Sequence, residues 1–168
     1  EKVNIIYLSK FMYEELIEIM GKHVKDEMVN QTNNLDIKYY SIIVDSTPDM
    51  THADQLVIVV RYCYNGKPCE RFLAFLPIEN HSSTTLFNKI TEFLGEHKLS
   101  LENIHGQLYN NASNMKGLEK GLQALLKNIN RYADNVPCAS HSLNLVGEKQ
   151  CLLYLNAKFK FSYGAIER

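Results

Sequence analysis

Gln55-Leu56-Val57-Ile58-Val59-Val60-Arg61-Tyr62-Cys63-Tyr64-Asn65-Gly66 is the stretch that decides the fold. A run of β-branched and aromatic side chains leads straight into Asn-Gly. That pair readily takes the two positive-φ positions of a tight hairpin turn. Residues 68–77 then pair back as the next strand. Alternation puts Phe72, Ala74 and Leu76 on one face and Leu73 and Phe75 on the other. Upstream, Ser41-Ile42-Ile43-Val44-Asp45 reads as a short apolar strand closed by an acid, followed by the turn Ser46-Thr47-Pro48-Asp49. Residues 41–77 are thus three consecutive antiparallel strands.

Working outward, the period changes from two to 3.6. Residues 9–29 read as a helix capped by Ser9, with Met12, Leu16, Ile19, Met20, Val24 and Met28 near helical spacing. Residues 30–34 form a polar break. Residues 83–97 read as a helix capped by Ser82 or Ser83, with Leu86, Phe87, Ile90, Phe93 and Leu94 as its apolar stripe. A short strand follows at 104–109. One helix over 112–129 then turns Met115, Leu118, Leu122, Leu125 and Leu126 inward. A brief strand at 134–137 leads to a helix at 140–153 carrying Leu143, Leu145, Val146 and Leu152. The order is helix, then β-β-β-α-β-α-β-α, an α/β chain with a mixed sheet whose later crossovers are parallel.

The chain has 168 residues, enough for one domain with its own core and too few for a catalytic unit of ~250 residues or more. Hydrophobic residues at 45% and charged residues at 22% exclude disordered and low-complexity classes. Lys and Arg number 18 against 19 Asp and Glu, a net charge of −1, which argues against a stand-alone nucleic-acid-binding domain. No apolar run approaches the ~20 residues of a membrane span, so no membrane partner is expected. The start, Glu1-Lys2-Val3-Asn4, has neither a signal-peptide pattern nor a Met, and reads as the interior of a longer protein. Four cysteines, Cys63, Cys69, Cys138 and Cys151, form no CxxC pair and read as reduced intracellular thiols. Cys63 and Cys69, on adjacent strands, leave a cross-strand bridge open.

Chemistry is expected at two strand ends, since the ends of central strands in an α/β sheet collect functional groups. Asp45 closes the first strand and Tyr109-Asn110-Asn111 closes the fourth. In this strand order the two ends lie side by side, where a pair of carboxylates would clamp two metal ions ~3.5–4 Å apart. Asp45 qualifies. Asn110 offers one neutral oxygen and no charge to balance divalent cations. An Asp at a strand end also serves simply as a turn cap, and Asn110 and Asn111 equally suit a helix N-cap. Cys138-Ala139-Ser140-His141 supplies half a zinc site, with His97, His105 and Cys151 as loose candidates for the rest. A buried Cys and a hydrogen-bonded His opening a helix is the preferred reading. His23, His52 and His81 form no spaced cluster. Neither a GxSxG elbow nor a Gly-rich phosphate loop occurs.

Taken together, the motifs are recognisable. Tyr40-Ser41-Ile42-Ile43-Val44-Asp45-Ser46-Thr47-Pro48-Asp49 resembles the first catalytic-strand motif of hAT-superfamily transposases. Arg71-Phe72-Leu73, Gly106-Gln107-Leu108-Tyr109-Asn110-Asn111-Ala112-Ser113-Asn114-Met115-Lys116-Gly117 and Cys138-Ala139-Ser140-His141-Ser142-Leu143-Asn144-Leu145 follow in the family's order. The resemblance covers residues 10–150 and is closest to the zinc-finger MYM-type and transposase-like hAT-derived proteins. It implies a ribonuclease-H-like fold in which three acids hold two Mg²⁺ or Mn²⁺ ions for DNA cleavage and strand transfer. By resemblance, Asp45 is the first acid and Asn110 stands where the second belongs. The third, a Glu on a helix beyond a large insertion, would follow the region of Cys138 and His141, past Arg168. The Cys138–His141 pair is read as structural, and the metal ions as not productively held.

Three functions follow as expectations. The chain is a fragment or domesticated remnant of a hAT transposase core without strand-transfer activity. Alternatively it is a segment of an active metal-dependent transposase, or a non-catalytic protein-interaction module derived from one. The resemblance places it in the nucleus, with DNA as an ancestral partner and protein partners or self-association as present ones. Lys116, Lys120, Lys127 and Arg131 fall near one helical face, which reads as a solvated face before a DNA-binding one. In domain terms, residues 1–38 are a helical segment, 39–155 the partial core and 156–168 a tail. The apolar sheet face left without the insertion is expected to promote association, with the first helix covering it in part.

Overall fold

The computed structural model describes residues 9–34, 38–48, 50–110 and 112–155. The chain runs α1 (Lys10–Asn33), β1 (Tyr40–Pro48), β2 (Asp54–Tyr64), β3 (Lys67–Pro77), α2 (Ser83–Glu96), a 3-10 turn (Leu101–Asn103), β4 (Ile104–Tyr109), α3 (Ser113–Lys116), α4 (Leu122–Ile129), β5 (Asp134–Pro137) and α5 (Ala139–Leu155). Five strands form one sheet in the order β3-β2-β1-β4-β5. β2 is antiparallel to β1 and β3, while β4 runs parallel to β1 and β5. The α/β class and the mixed sheet read from the sequence are the observed ones. Asn65 and Gly66 both take positive φ, 50° and 73°, as the hairpin requires.

Strand alternation divides the sheet into two faces. Ile42, Val44, Leu56, Ile58 and Val60 point to one face and are fully buried against Leu86, Ile90, Phe93 and Leu94 of α2 and Leu122 and Leu126 of α4. Each such side chain contributes about 1.5–3 kcal/mol by leaving water. A polar network is sealed in the same layer. Gln107 donates to the carbonyls of Gln123 (3.2 Å) and Ala133 (2.7 Å) and accepts from the Tyr109 hydroxyl (2.7 Å). Burial pushes the Tyr109 phenol well above its ordinary value. Asn130 closes the layer's edge, donating to the carbonyls of Glu102 (2.7 Å) and Ile104 (2.8 Å).

Among the described residues, the opposite face is open. Ile43, Val57, Val59 and Leu108 are half-buried on it, and Phe72, Phe75 and Val136 are exposed. Phe72 lies on this face because Leu73 is an extra residue in β3. The register steps from Ile58↔Ala74 to Val59↔Phe72, and two β3 residues oppose one on β2. Strict alternation had placed Phe72 with Ala74 and Leu76. Instead its ring meets Phe75 at 4.8 Å.

Other boundaries differ for identifiable reasons. β1 does not turn at Ser46, because Ser46, Thr47 and Pro48 continue to pair with Leu56, Gln55 and Asp54. α1 runs through the expected polar break to Asn33. There Gln31 accepts from the Tyr62 hydroxyl (3.0 Å), and Asn33 donates to the His97 carbonyl (3.4 Å). These tertiary partners outweigh weak helix propensity. Ser9 caps α1 as expected, accepting from Met12 N at 3.2 Å. Yet Met12, Leu16, Ile19, Met20 and Val24 are exposed, and only the end near Met28 and Val29 packs on the core. In α5, Leu143, Leu145 and Val146 are likewise exposed. The side chains of Leu152 and Cys151, and the tail 156–168, lie outside the described residues.

The single helix read over 112–129 is two helices. Between α3 and α4 the backbone folds on itself, Gly121 N donating to Gly117 O at 3.0 Å. A Cβ on Gly121 would overlap the Gly117 backbone, so glycine is required at this crossing. The break leaves Leu118 88% exposed instead of inward. It also dissolves the basic face. Lys127 pairs with Asp134 (2.9 Å), Arg131 lies over the Tyr132 ring, and the Lys116 side chain lies outside the described residues.

Candidate functional site

β1 and β4 deliver the two expected residues to one place. Their parallel register aligns Val44 with Tyr109, so the next residues, Asp45 and Asn110, emerge at the same level. Asn110 Nδ2 donates to Asp45 Oδ1 at 3.1 Å, and Ser46 N donates to the same oxygen at 2.9 Å. Asn110 Oδ1 in turn accepts from Ala112 N at 3.1 Å. This second bond fixes the amide's orientation, because a flipped amide would set oxygen against the carboxylate. Asn110 therefore both caps the following turn and satisfies Asp45.

The donor chemistry does not suit a two-metal centre. Two divalent ions need bridging anionic oxygens. Here one carboxylate is present, and N–H groups point at its Oδ1 where a cation would sit. Among the described residues, no group of three His, Cys, Asp or Glu side chains is arranged to hold a metal ion.

Cys138 belongs to the same end of the sheet. Tyr109 pairs with Pro137, so Cys138 leaves β5 beside Asn110. The ends of β1, β4 and β5 thus line up at the usual ~4.7–4.9 Å strand spacing. The Cys138 carbonyl accepts from Ser142 N (3.0 Å) and Ser142 Oγ (2.9 Å), which opens α5. Its half-buried thiol is held below its ordinary value, chiefly by the hydrogen bond with the His141 imidazole and then by the His141 backbone N–H. No zinc set gathers round it among the described residues. His97 bonds the Phe93 carbonyl through Nδ1 (2.8 Å), and His105 stacks on Tyr39. Cys63 and Cys69 are free thiols, since Cys63 lies opposite Pro68 and Cys69 opposite Tyr62.

One pair near this end escaped the sequence reading. His81 Nε2 lies 2.8 Å from Asp54 Oδ2, and the His81 carbonyl accepts from Asn114 Nδ2 at 2.8 Å. Sequence spacing hides the pair, but the hairpin does not. A tight turn at Asn65-Gly66 brings Gln55 to Pro77, and with it Asp54 to the loop that carries His81.

Comparison with known proteins completes the site. Human and mouse proteins, each named 52 kDa repressor of the inhibitor of the protein kinase, are 25% identical to this chain over 144 and 143 residues. The matches cover 85% and 84% of this chain and 19% of each relative, so the chain spans about a fifth of their length. A family model described as DUF4371, ZMYM1/FAM200, RNase-like domain matches residues 2–121, a span that holds Asp45, Asn110 and the whole sheet except β5. With the mixed five-stranded sheet, this match over more than half of its length shows that the chain belongs to the ZMYM1/FAM200 RNase-like domain family.

Proposed function

We propose that this chain is a domesticated remnant of a hAT-type transposase core that retains the fold and has lost strand-transfer chemistry. The observation that carries the reading is the bond from Asn110 Nδ2 to Asp45 Oδ1. Where the resemblance calls for a second acid, a neutral amide occupies the position and serves as a local substitute for the cation. Mg²⁺ or Mn²⁺ is therefore not held productively at Asp45, and no phosphodiester chemistry runs through it. The names of the relatives describe repressors, which supports a regulatory, non-catalytic role and a nuclear location for this domain. Its working surfaces are then binding surfaces, and the exposed apolar side chains of α1, α5 and the open sheet face suit protein partners or self-association.

The test is cleavage of supercoiled DNA, and of duplexes with free ends, by the purified chain in Mg²⁺ and in Mn²⁺. No nicking above the metal-only background is expected. Metal-dependent nicking that Asp45→Ala abolishes would instead establish a living nuclease centre.

A further inference from the structure

At the other end of β1 and β4, away from Asp45, four planar groups line up across three neighbouring strands. Tyr39, just before β1, stacks on His105 with centroids 3.7 Å apart and planes 27° apart. His105 faces Tyr132, just before β5, at 5.9 Å and 14°. The Arg131 guanidinium lies 4.7 Å over the Tyr132 ring and donates to its hydroxyl. The row exists because His105 is an extra residue in β4. Tyr40 pairs with Ile104 and Ser41 with Gly106, so His105 has no partner on β1 and its ring joins those of the open face.

Beside the rings the floor drops. A Cβ on Gly106 would come within 2.5 Å of Ser41 Oγ, so this position stays bare. The result is a shallow hollow of about 240 Å³ lined by Tyr39, Ser41, Arg61, Cys63, Pro68 and His105. That is below the ~300–1,000 Å³ of sites that enclose a whole drug-sized ligand, and it suits one planar group lying against a ring. Cations stand among the rings. Arg61 lines the hollow, Arg131 lies over Tyr132, and Lys38 directly precedes Tyr39 in the chain. Glu70 pairs with Arg61 (3.0 Å) and Asp134 with Lys127 (2.9 Å).

We propose that this row is a binding site for single-stranded nucleic acid. An unpaired base stacks on the free face of Tyr39, with its edge in the hollow. Lys38, Arg61 and Arg131 take the adjoining phosphates. Exposed aromatic rings with interleaved cations are the recurrent platform for unpaired strands, because every base has a π-face. A duplex keeps its base faces buried and offers the row only phosphates. The site does not use Asp45 or Asn110 and stands whether or not the metal centre is active.

The test is fluorescence anisotropy with the full chain, a short labelled oligothymidine and a labelled duplex of equal length. The single strand is expected to bind more tightly than the duplex. Tyr39→Ala should weaken binding by roughly five- to a hundredfold, the range of one lost base stack, and Tyr132→Ala, which removes the ring behind His105 and the seat of Arg131, should weaken it to a smaller extent. Tyr39→Phe and Asp45→Ala should bind as the parent does. Arg131→Gln should lower the salt slope by about 0.7, one phosphate on a single strand. Circular dichroism and melting curves of each variant confirm that the fold persists. If Tyr39→Ala were unfolded, Tyr39→Leu and Tyr132→Ala would decide. Equal affinity for strand and duplex, no binding at all, or full affinity in the folded alanine variants would overturn the proposal. So would a dimer of the parent chain that Tyr39→Ala dissolves, which would assign the row to a second copy.

Discussion

At the scale of single residues, the Asp45–Asn110 contact shows how one atom can reverse the meaning of a site. A carboxylate at position 110 would repel Asp45 until a cation came between them, whereas an amide bonds to it directly. This much was legible in the sequence, since residue types and strand order were sufficient. The orientation of the amide was not, because it depends on the backbone N–H of Ala112. Cys138 makes a second residue-scale case. The CxxH spacing was visible, but not that the His141 imidazole would hold the Cys138 thiol below its ordinary value. With its thiol held below the ordinary value, a larger thiolate fraction exists near neutral pH. Alkylation by iodoacetamide, followed by peptide mapping across pH, should give Cys138 a midpoint below the ~8.5 of a free thiol. His141→Ala should move that midpoint upward. Equal midpoints in the two proteins would mean that the imidazole does not act on the sulfur.

At the scale of elements, the sequence reading succeeded where a period ran uninterrupted and failed where one residue broke it. The hairpin, α2 and β5 were legible because their signals are local. The bulges at Leu73 and His105 were not, because an extra residue in a strand is defined only by the register of its neighbour. Each bulge moves an aromatic ring onto the open face. The split between α3 and α4 was hidden for a related reason. Gly117 and Gly121 fit a helical spacing, and only the folded chain shows their backbones in contact. Gly121→Ala tests this directly. In a continuous helix the change would stabilise by a few tenths to about 1 kcal/mol. Here the added methyl group overlaps the Gly117 backbone. Denaturant unfolding should show a loss of roughly 1–3 kcal/mol, the usual cost of overpacking. A gain in stability would show that the helix is continuous.

At the scale of the whole molecule, a well-sealed layer sits beside surfaces without internal partners among the described residues. The face bearing α2 and α4 is dry and close-packed, whereas Phe72, Phe75 and Val136 lie open on the other. α1 adds Phe11, Leu16, Ile17 and Met20, all more than half exposed. The apolar residues of α1 were legible from their period, but a period marks an apolar side without saying what covers it. Contiguous apolar surface on this scale favours association. Light scattering should show a mass that rises with concentration, and Phe72→Ser combined with Phe75→Ser should reduce the rise. A monodisperse monomer at high concentration would show that these surfaces do not self-associate. The central proposal is that Asn110 stands where a second acid would bind metal, and Mn²⁺ binding tests it most directly. Calorimetric titration of the parent chain should show no saturable site that depends on Asp45. Asn110→Asp should create one that Asp45→Ala removes. Saturable Mn²⁺ binding by the parent chain, lost in Asp45→Ala, would contradict it.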